Sequence, residues 1–414
     1  MQWKFLASVK TEKMGAEAAD TPLRKPKFRR IKKWVFFPLV SICITLVLIE
    51  FISWLAWPLA PENGKHNISV LLGDLNSDSA WIERPHPYML WENVPGFSRN
   101  GNVRQINNLG YRNSSDFGFA NPDKFKRLLC IGGSTTFGFP HEDPSIAWPE
   151  QLEKLLNEQS GHEKFQVINA GLLFGTSAEF LSHYMYRDRY LQGVELVILH
   201  MGGNDALTIS VKDYDPEYRN LRSFEPNRVS LRPGEEWFLR NSRSVRLFYA
   251  FWLNGNYAAA HIQKGPDSEH EISPEEFIAN VRKNEPLGFR RNLSLLIRNI
   301  IADGKKVILV PFLLSPVVKA GAEPVEVPNS IADCRLFFEG YLVANAKTRQ
   351  VMKEMGTLYD CPVSEIPPGM ISVEHFYDDC HLDEAGEKAK ARFVFDQVVQ
   401  LSESDSLSSA SIAK

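Results

Sequence analysis

Hydrophobic positions divide the chain into one long apolar run near its start and a series of shorter runs after residue 124. The long run, from Trp34 to Trp57, has 24 residues and one charged side chain, that of Glu50. A helix rises ~1.5 Å per residue, so this run is long enough to cross the ~30 Å hydrocarbon core of a bilayer. The pattern therefore predicts a transmembrane helix over 34–57.

After residue 124, short apolar runs alternate with segments whose apolar residues recur at helical spacing. The predicted strands are 127–131, 165–169, 194–199, 306–311 and 358–363. The predicted helices are 148–158, 176–191, 287–303 and 331–355, with another beginning at 273–274. Apolar strands joined by helices indicate parallel β-α-β units with helices on both sheet faces. We expect an α/β fold, a three-layer α/β/α sandwich with a mainly parallel five-stranded sheet.

Two local signals place helix ends. Thr176 and Glu179 form a capping box, which predicts that a helix begins there and continues to about Leu191. Gly356 follows a helical pattern that begins near Ile331, and glycine commonly ends a helix. We therefore expect the helix that begins near Ile331 to end at Gly356.

The remaining segments complete an organisation in which one main domain occupies 124–400. A basic tail covers 1–33, and a lead-in rich in Pro, Asn, Gly and Trp covers 58–123. We expect this lead-in to be irregular and to pack on the main domain. The alternation of strands and helices breaks at an insertion over 206–272, and a Ser-rich, flexible tail is expected over 401–414.

Charge is divided as unevenly as hydrophobicity. The chain has 47 basic and 50 acidic residues, but residues 1–33 contain ten basic and three acidic ones, a net charge of +7 that leaves −10 for the rest. Because basic flanks stay in the cytoplasm, we expect the N-terminus there and the acidic body outside it. Trp54, Trp57 and Pro58 crowd the place of a signal-peptide cleavage site, so we expect an uncleaved signal anchor. An acidic body argues against nucleic-acid binding.

The cysteines show no metal-site pattern. No two are spaced as CxxC, and no grouping of Cys and His has the spacing of a zinc site. Cys43 lies in the apolar run and Cys130 in a predicted strand, which leaves Cys334, Cys361 and Cys380. An oxidising compartment would allow one disulfide among these three, and the sequence does not choose the pair.

Four short segments stand at strand ends or near the C-terminus, and the carboxyl ends of parallel strands are where active groups collect. They are Gly132–Gly138, Asn169–Gly171, Gly202–Asp205 and Asp378–Leu382. Taken singly, each has an ordinary explanation, such as a tight turn, an Asx-bonded turn or a helix start with a favourable acid. Their order and placement together indicate one site.

These segments resemble the four blocks of the SGNH/GDSL hydrolase family, in its membrane-anchored bacterial type. The resemblance covers 124–400 and implies the five-stranded α/β/α sandwich of that family, with no cofactor and no metal. The residues that it implies are Ser134, Asp378 and His381 for catalysis and Ser134, Gly171 and Asn204 for the oxyanion hole. The first block is Gly-Gly-Ser-Thr instead of Gly-Asp-Ser-Leu. That variant, like the lead-in segment Asn107–Arg112, looks like membrane-anchored members.

The residue types suit acyl transfer. A serine hydroxyl becomes nucleophilic when a base removes its proton, and imidazole titrates near neutrality. A carboxylate can orient the other ring nitrogen of the imidazole and stabilise its charged form. Asp379 and Asp383 also neighbour His381, and the family spacing favours Asp378. His200, at the end of a predicted strand, is expected to be a packed and hydrogen-bonded core residue.

The expected function is that of a membrane-tethered, extracytoplasmic serine esterase. It would remove an O-acyl group, such as O-acetyl, from a small molecule or a glycan. The same triad can pass the acyl group to a sugar hydroxyl, which would make the protein an O-acetyltransferase. A non-catalytic polysaccharide-binding or assembly protein on the same fold is the alternative of another class, and the presence of all catalytic residue types favours an enzyme.

The insertion is rich in aromatic residues: Trp237, Phe248, Tyr249, Phe251, Trp252 and Tyr257. They can form a satellite core beneath a long loop. Alternatively, they can line a lid or a sugar-binding wall, in which case the insertion would set substrate choice.

Overall fold

The computed structural model of the protein describes residues 33–62, 64–65, 68, 72, 82–86, 88–99, 103–160, 164–217, 233–253, 273–316 and 331–412. The chain divides into two compact units, Met1–Ile52 and Ser53–Lys414. The basic tail expected over 1–33 lies, except for its last residue, outside the described residues.

Helix α1, Lys33–Ala56, contains the long apolar run. The segment Phe36–Leu59, which α1 and a short 3-10 turn form, has a mean hydropathy of 2.3. Only 6% of its most apolar part is buried against protein. By length and composition, this helix is able to cross a membrane.

The lead-in contains more regular structure than its composition predicts. It forms two antiparallel hairpins, β1–β2 and β3–β4, from Glu83–His86, Leu90–Asn93, Ser98–Arg99 and Val103–Arg104. The expectation of an irregular segment over 58–123 is wrong in these places, because strands of two to four residues are too short to show an alternating pattern. The lead-in packs on the main domain, where the Tyr111 hydroxyl donates to Asp188 at 2.7 Å.

Four parallel strands form the central sheet in the spatial order β6-β5-β7-β8. Their bounds are Lys126–Gly132 for β5, Phe165–Gly171 for β6, Val194–Met201 for β7 and Lys306–Pro311 for β8. The other described α-helices are, in chain order, α2 (Ser134–Phe137), α3 (Trp148–Ser160), α4 (Ser177–Tyr186), α5 (Gly203–Thr208), α6 (Pro233–Asn241), α7 (Arg243–Leu253), α8 (Pro274–Lys283), α9 (Leu287–Ala302), α10 (Ile331–Tyr359) and α11 (Glu384–Ile412).

Residues along β5 alternate between two hydrophobic cores. Leu129 and Ile131 pack with residues of α4, α9 and α10 on one face of the sheet. Leu128 and Cys130 pack with residues of α3 and α11 on the other. Because both faces are covered, the middle of each strand is mainly apolar, and the predicted three-layer α/β/α fold is confirmed.

The predicted fifth strand, 358–363, is reduced to one parallel bridge between Val363 and Leu309. The chain still follows the edge of β8, since the Ser364 N–H donates to Leu309 O at 2.8 Å. The prediction is wrong at its first two residues because α10 continues through them to Tyr359.

The two predicted helix ends differ in their outcome. The capping box is confirmed: Thr176 and Glu179 bond each other's backbone at the start of α4. Gly356 does not end α10, because the left-handed residue that ends it is Asp360, with φ of 52°. Gly356 is needed for close packing, since a Cβ there would lie 2.2 Å from Val363 Cγ2.

The C-terminal segment continues as a helix. The flexible tail expected over 401–414 is replaced by the last turns of α11, which ends at Ile412. No glycine or proline follows Gly386, so the sequence contains no residue that would stop the helix earlier.

The described part of the insertion forms a small satellite core, but the aromatic residues expected to build it are mostly exposed. Helices α6 and α7 bury Leu239 and Ala250 against residues that follow α1, namely Ala60, Ile68 and Leu72. In the part of the chain that the structure describes, no aromatic residue of the insertion lines the cavity beside Ser134. Tyr257 lies outside the described residues.

The packing of α10 predicts that Gly356→Ala destabilises the protein. Alanine favours a helix over glycine by about 1 kcal/mol, but the added Cβ would overlap Val363, and overpacking costs about 1–3 kcal/mol. We expect a lower free energy of unfolding in urea titrations of the detergent-solubilised protein, followed by tryptophan fluorescence.

Gly234→Ala is the matched control, because Gly234 also lies in a helix, α6, and a Cβ there would meet no atom within 4 Å. This variant should be as stable as the parent or more so. Equal stability of the two variants would contradict the packing role of Gly356.

Candidate active site

Ser134 lies at the turn between β5 and α2, at the carboxyl edge of the sheet. The turn is tight: a Cβ on Gly132 would lie 2.2 Å from both His200 O and Thr136 Oγ1. The chain passes to opposite sides of β5 to form β6 and β7, and ligands of open α/β sheets bind at such a switch point. The Gly-Gly-Ser sequence thus places a hydroxyl where ligands are expected.

Three side chains form a continuous hydrogen-bonded chain. His381 Nε2 lies 2.7 Å from Ser134 Oγ, and His381 Nδ1 lies 2.6 Å from Asp378 Oδ2. The other carboxylate oxygen of Asp378 accepts the backbone N–H groups of Cys380 and His381 at 2.8 and 2.7 Å. The loop before α11 therefore supplies two of the three groups in a fixed geometry.

Asp378 is held as an anion. Burial opposes its ionisation, but hydrogen bonds from the His381 ring and from two backbone N–H groups outweigh burial and lower the pKa of Asp378 to about 2. An anion beside Nδ1 favours the tautomer that presents an unprotonated Nε2 to Ser134, and it stabilises the imidazolium that forms when Nε2 takes a proton.

The carboxylate of Asp383 and the backbone of Asp379 have other contacts. Asp383 Oδ2 lies 3.1 Å from His375 Nδ1, and the backbone oxygen of Asp379 accepts the Ser315 N–H at 2.7 Å. Among the described residues, Asp378 is the carboxylate that hydrogen-bonds His381, as the spacing of the fourth block predicts.

Two of the expected oxyanion donors lie at the same cavity. Ser134, Gly175 and Asn204 line a small cavity at the carboxyl edge of the sheet. The Ser134 N–H begins α2, and the first N–H groups of a helix have no acceptor within it. Asn204 Nδ2 donates one hydrogen to Gly175 O at 2.8 Å, which holds its amide beside Ser134 and leaves a second hydrogen.

Gly171, the third expected donor, does not line this cavity. Its N–H donates to Asn169 Oδ1 at 3.0 Å, and a Cβ there would lie 2.3 Å from Phe137 N. Gly171 is therefore a packing residue under α2, and the assignment made from sequence is corrected. Gly175 occupies the cavity instead, and its N–H makes only a 3.3 Å bond to Leu172 O.

The lead-in holds α2 in place. The buried Arg112 guanidinium donates to Phe137 O at 3.2 Å and to Gln105 O at 2.9 Å, and it also donates to His141 O. Burial lowers the pKa of Arg112 to about 9, so it remains charged at neutral pH. The segment that the sequence linked to membrane-anchored hydrolases thus braces the helix that begins with Ser134.

A buried lysine that the sequence analysis does not identify joins two strand ends. Lys390 Nζ, on α11, donates to Thr135 O at 3.0 Å and lies 2.9 Å from His200 Nε2. His200 Nδ1 lies 3.1 Å from Val310 O, so Nδ1 carries the proton and Nε2 accepts from Lys390. Burial lowers the pKa of both Lys390 and His200. The expectation of a bonded core histidine is confirmed.

The site contains a group of possible metal ligands. Ligand atoms of Asp378, Cys380 and His381 lie within 4.8 Å of one another. Nδ1 of His381 is already hydrogen-bonded to Asp378, which favours a catalytic carboxylate–imidazole pair.

The disulfide that the sequence allows is not seen among the described residues. Cys361 and Cys380 are free thiols, and the side chain of Cys334 lies outside the described residues.

Some solved structures that resemble this chain at low sequence identity are lipases and esterases. They include a lipase/acylhydrolase from Enterococcus faecalis, 17% identical over 66% of this chain and 95% of that one, with a TM-score of 0.36. The aryl esterase of M. smegmatis is 16% identical over 67% and 99%, with a TM-score of 0.38. A GDSL-like lipase from Bacteroides thetaiotaomicron is 11% identical over 69% and 93%, with a TM-score of 0.37.

The chain is similar in fold to GDSL-type lipases and acylhydrolases. No protein-family model matches the chain, and no curated protein matches it. At these identities the likeness is one of fold, and the function must be argued from the site.

The position of Lys390 predicts that Lys390→Met lowers kcat for p-nitrophenyl acetate by about 10- to 100-fold, with KM changed by less than about threefold. Methionine keeps the apolar stem but leaves Thr135 O and His200 Nε2 without their donor, so Ser134 loses its fixed position. Steady-state kinetics well below the unfolding temperature test this expectation.

Lys388→Met is the matched control, because Lys388 lies on the same helix and pairs with Glu384 at the surface. It should leave kcat unchanged. Equal kcat values for the two variants would contradict the positioning role of Lys390.

Proposed function

We propose that the protein is a carboxylic ester hydrolase of the SGNH type, with Ser134 as its nucleophile. The observation that carries the proposal is the hydrogen-bonded chain from Asp378 through His381 to Ser134, with distances of 2.6 and 2.7 Å. A carboxylate, an imidazole and a hydroxyl in this order are the parts of a serine hydrolase triad.

The proposed reaction has two acyl-transfer steps. Ser134 Oγ attacks the ester carbonyl while His381 Nε2 takes its proton; the imidazolium then protonates the leaving alcohol as the ester C–O bond breaks. Water next gives a proton to His381 and attacks the acyl-enzyme, and the carboxylic acid leaves as Ser134 recovers its proton.

The tetrahedral intermediates need hydrogen-bond donors for their oxyanion. The backbone N–H groups of Ser134 and Gly175 and the free hydrogen of the Asn204 amide are the donors we propose. Each preorganised donor typically lowers the barrier by about 2.7–4 kcal/mol, so this set is a major part of the proposed catalysis.

A small acyl group fits the cavity best. Besides the donors, Phe180, Met201 and Phe312 line it, and the space left is that of about one water molecule. A methyl group has a similar size, which supports an acetyl ester as the substrate. A long acyl chain would need these side chains to move.

Two exposed aromatic rings support a glycan as the group that carries the acetyl ester. Phe139 is 44% exposed, and its ring meets the His381 ring edge-on at 5.0 Å. Tyr377 is 54% exposed and lies 5.8 Å from the ring of His141, whose Nε2 bonds the loop at Leu382 O. Exposed aromatic rings at the loop that carries His381 offer a surface on which sugar rings can stack.

The proposed location is outside the cytoplasm, on a single membrane anchor. The length and hydropathy of α1 support the anchor, and the charge of +7 in residues 1–33 supports a cytoplasmic N-terminus. The catalytic body would then face an extracytoplasmic space such as a bacterial periplasm, where polysaccharide substrates occur.

The proposal predicts that Ser134→Ala lowers kcat for acetyl esters by about 10⁴-fold or more, because the nucleophile is lost. Release of acetate from p-nitrophenyl acetate and from acetylated glycans is the measurement. Ser402→Ala is a matched control, since Ser402 lies on α11 and bonds only the local backbone at Val398 O.

A rate for Ser134→Ala equal to that of the control would overturn the serine mechanism.

The wild-type protein should also hydrolyse acetyl esters at least about tenfold faster than octanoyl esters, because the cavity is small. Appearance of the acetyl group on an added sugar, in place of free acetate, would instead indicate acyl transfer.

Topology yields a separate prediction. Alkaline phosphatase fused after Lys414 should be active in bacterial cells, because the body to which it is joined is exported. Green fluorescent protein fused at the same place should stay dark, because the Sec pathway would export it unfolded. The opposite pattern of the two reporters would place the catalytic body in the cytoplasm.

A further inference from the structure

Helices α6 and α7 form a hairpin with two unlike faces, which we call the aromatic hairpin (233–253). On its inner face, Leu239 and Ala250 are fully buried. On its outer face, four large aromatic residues are each more than half exposed: Trp237 at 59%, Phe238 at 53%, Phe248 at 66% and Phe251 at 57%. A concentration of exposed aromatic side chains this dense usually marks a binding surface.

The inner face is fixed to the segment that directly follows the candidate membrane span. The guanidinium of Arg246 lies 5.5 Å above the ring of Trp57, and Arg240 donates to Leu72 O at 2.5 Å. Gly64 lies so close to α7 that a Cβ there would be 1.8 Å from Ala250 O. The hairpin is therefore packed on Trp57, Gly64 and Leu72 through backbone contact as well as side chains.

This attachment limits how far the hairpin can lie from a membrane. The candidate span continues from α1 through the 3-10 turn to Leu59, so Trp57 belongs to the end of the span. A helix with its side chains is about 10–12 Å across, and the headgroup layer on each side of a bilayer is about 5–8 Å thick. Because α7 contacts Trp57 directly, it must lie at the depth of the headgroups whenever the span crosses a bilayer.

The side chains of the hairpin suit that depth. Tryptophan and phenylalanine bind at the boundary between headgroups and acyl chains, and amphipathic helices lie there with their apolar face inward. Arg240 pairs with Glu236 and donates to Leu72 O, and Arg246 lies over Trp57, so both arginines hold the inner contacts of the hairpin.

We propose that the aromatic hairpin is a membrane-interface element, which inserts Trp237, Phe238, Phe248 and Phe251 into the outer surface of the bilayer that α1 crosses. This proposal rests on the proposed membrane anchor and is independent of the proposed esterase activity. The hairpin would give the body a second contact with the membrane, in addition to helix α1, to which the body is covalently joined.

The test uses the full chain with Cys43, Cys334, Cys361 and Cys380 each replaced by alanine, so that the introduced cysteine carries the label, and the protein is reconstituted into phosphatidylcholine vesicles. Phe251→Cys carries an environment-sensitive fluorophore, and Lys283→Cys, at the exposed end of α8, is the matched control. Lipids brominated in the shallow part of the acyl chain should quench the probe at position 251 by about twofold or more, and they should leave the control unchanged.

Quenching of both probes by aqueous iodide but by no brominated lipid would overturn the proposal while leaving the anchor intact, provided that the protein stays with the vesicles after an alkaline wash. Loss of the protein in that wash would overturn the anchor and the hairpin proposal together. Protection of the probe at position 251 from both iodide and brominated lipid would show that protein covers it, as in a contact between copies, and would also overturn the proposal.

Discussion

The hydrogen bond between Ser134 Oγ and His381 Nε2 is the constraint on which the rest of the catalytic unit depends. It joins residues 247 positions apart at 2.7 Å, so the first strand of the sheet and the loop before the last helix must meet at one edge. A parallel sheet covered on both faces makes this possible, because every strand ends at the same edge. The bond has chemical value only if both partners are held to within a few tenths of an ångström.

Buried polar groups provide that rigidity. Arg112 braces the end of α2 from the lead-in, and Lys390 ties its start to the end of β7 through His200. Burying two cations is costly unless each is hydrogen-bonded, and both use backbone oxygens near Ser134 as acceptors. The lead-in and the last helix are thus parts of the site, although neither contributes a reacting atom.

The sequence predicts those features that depend on local pattern. Four strands, the capping box at Thr176 and the carboxylate–imidazole pair at Asp378 and His381 follow from neighbouring residues, and the structure has them in place. Gly175 is not identified from the sequence, because which backbone near the end of β6 reaches the cavity depends on where the strand ends in three dimensions. Lys390 was missed because a lysine in a helical pattern is ordinarily exposed, and only tertiary packing shows that this one is buried.

The central claim is that Ser134 is an activated nucleophile, and covalent labelling tests it most directly. The folded, detergent-solubilised protein would be treated with a fluorophosphonate, and its digested peptides would be analysed by mass spectrometry. The account predicts one phosphonyl adduct, on Ser134, whose formation slows strongly when His381 is replaced by alanine. An unmodified Ser134, or an adduct that forms at the same rate without His381, would contradict it.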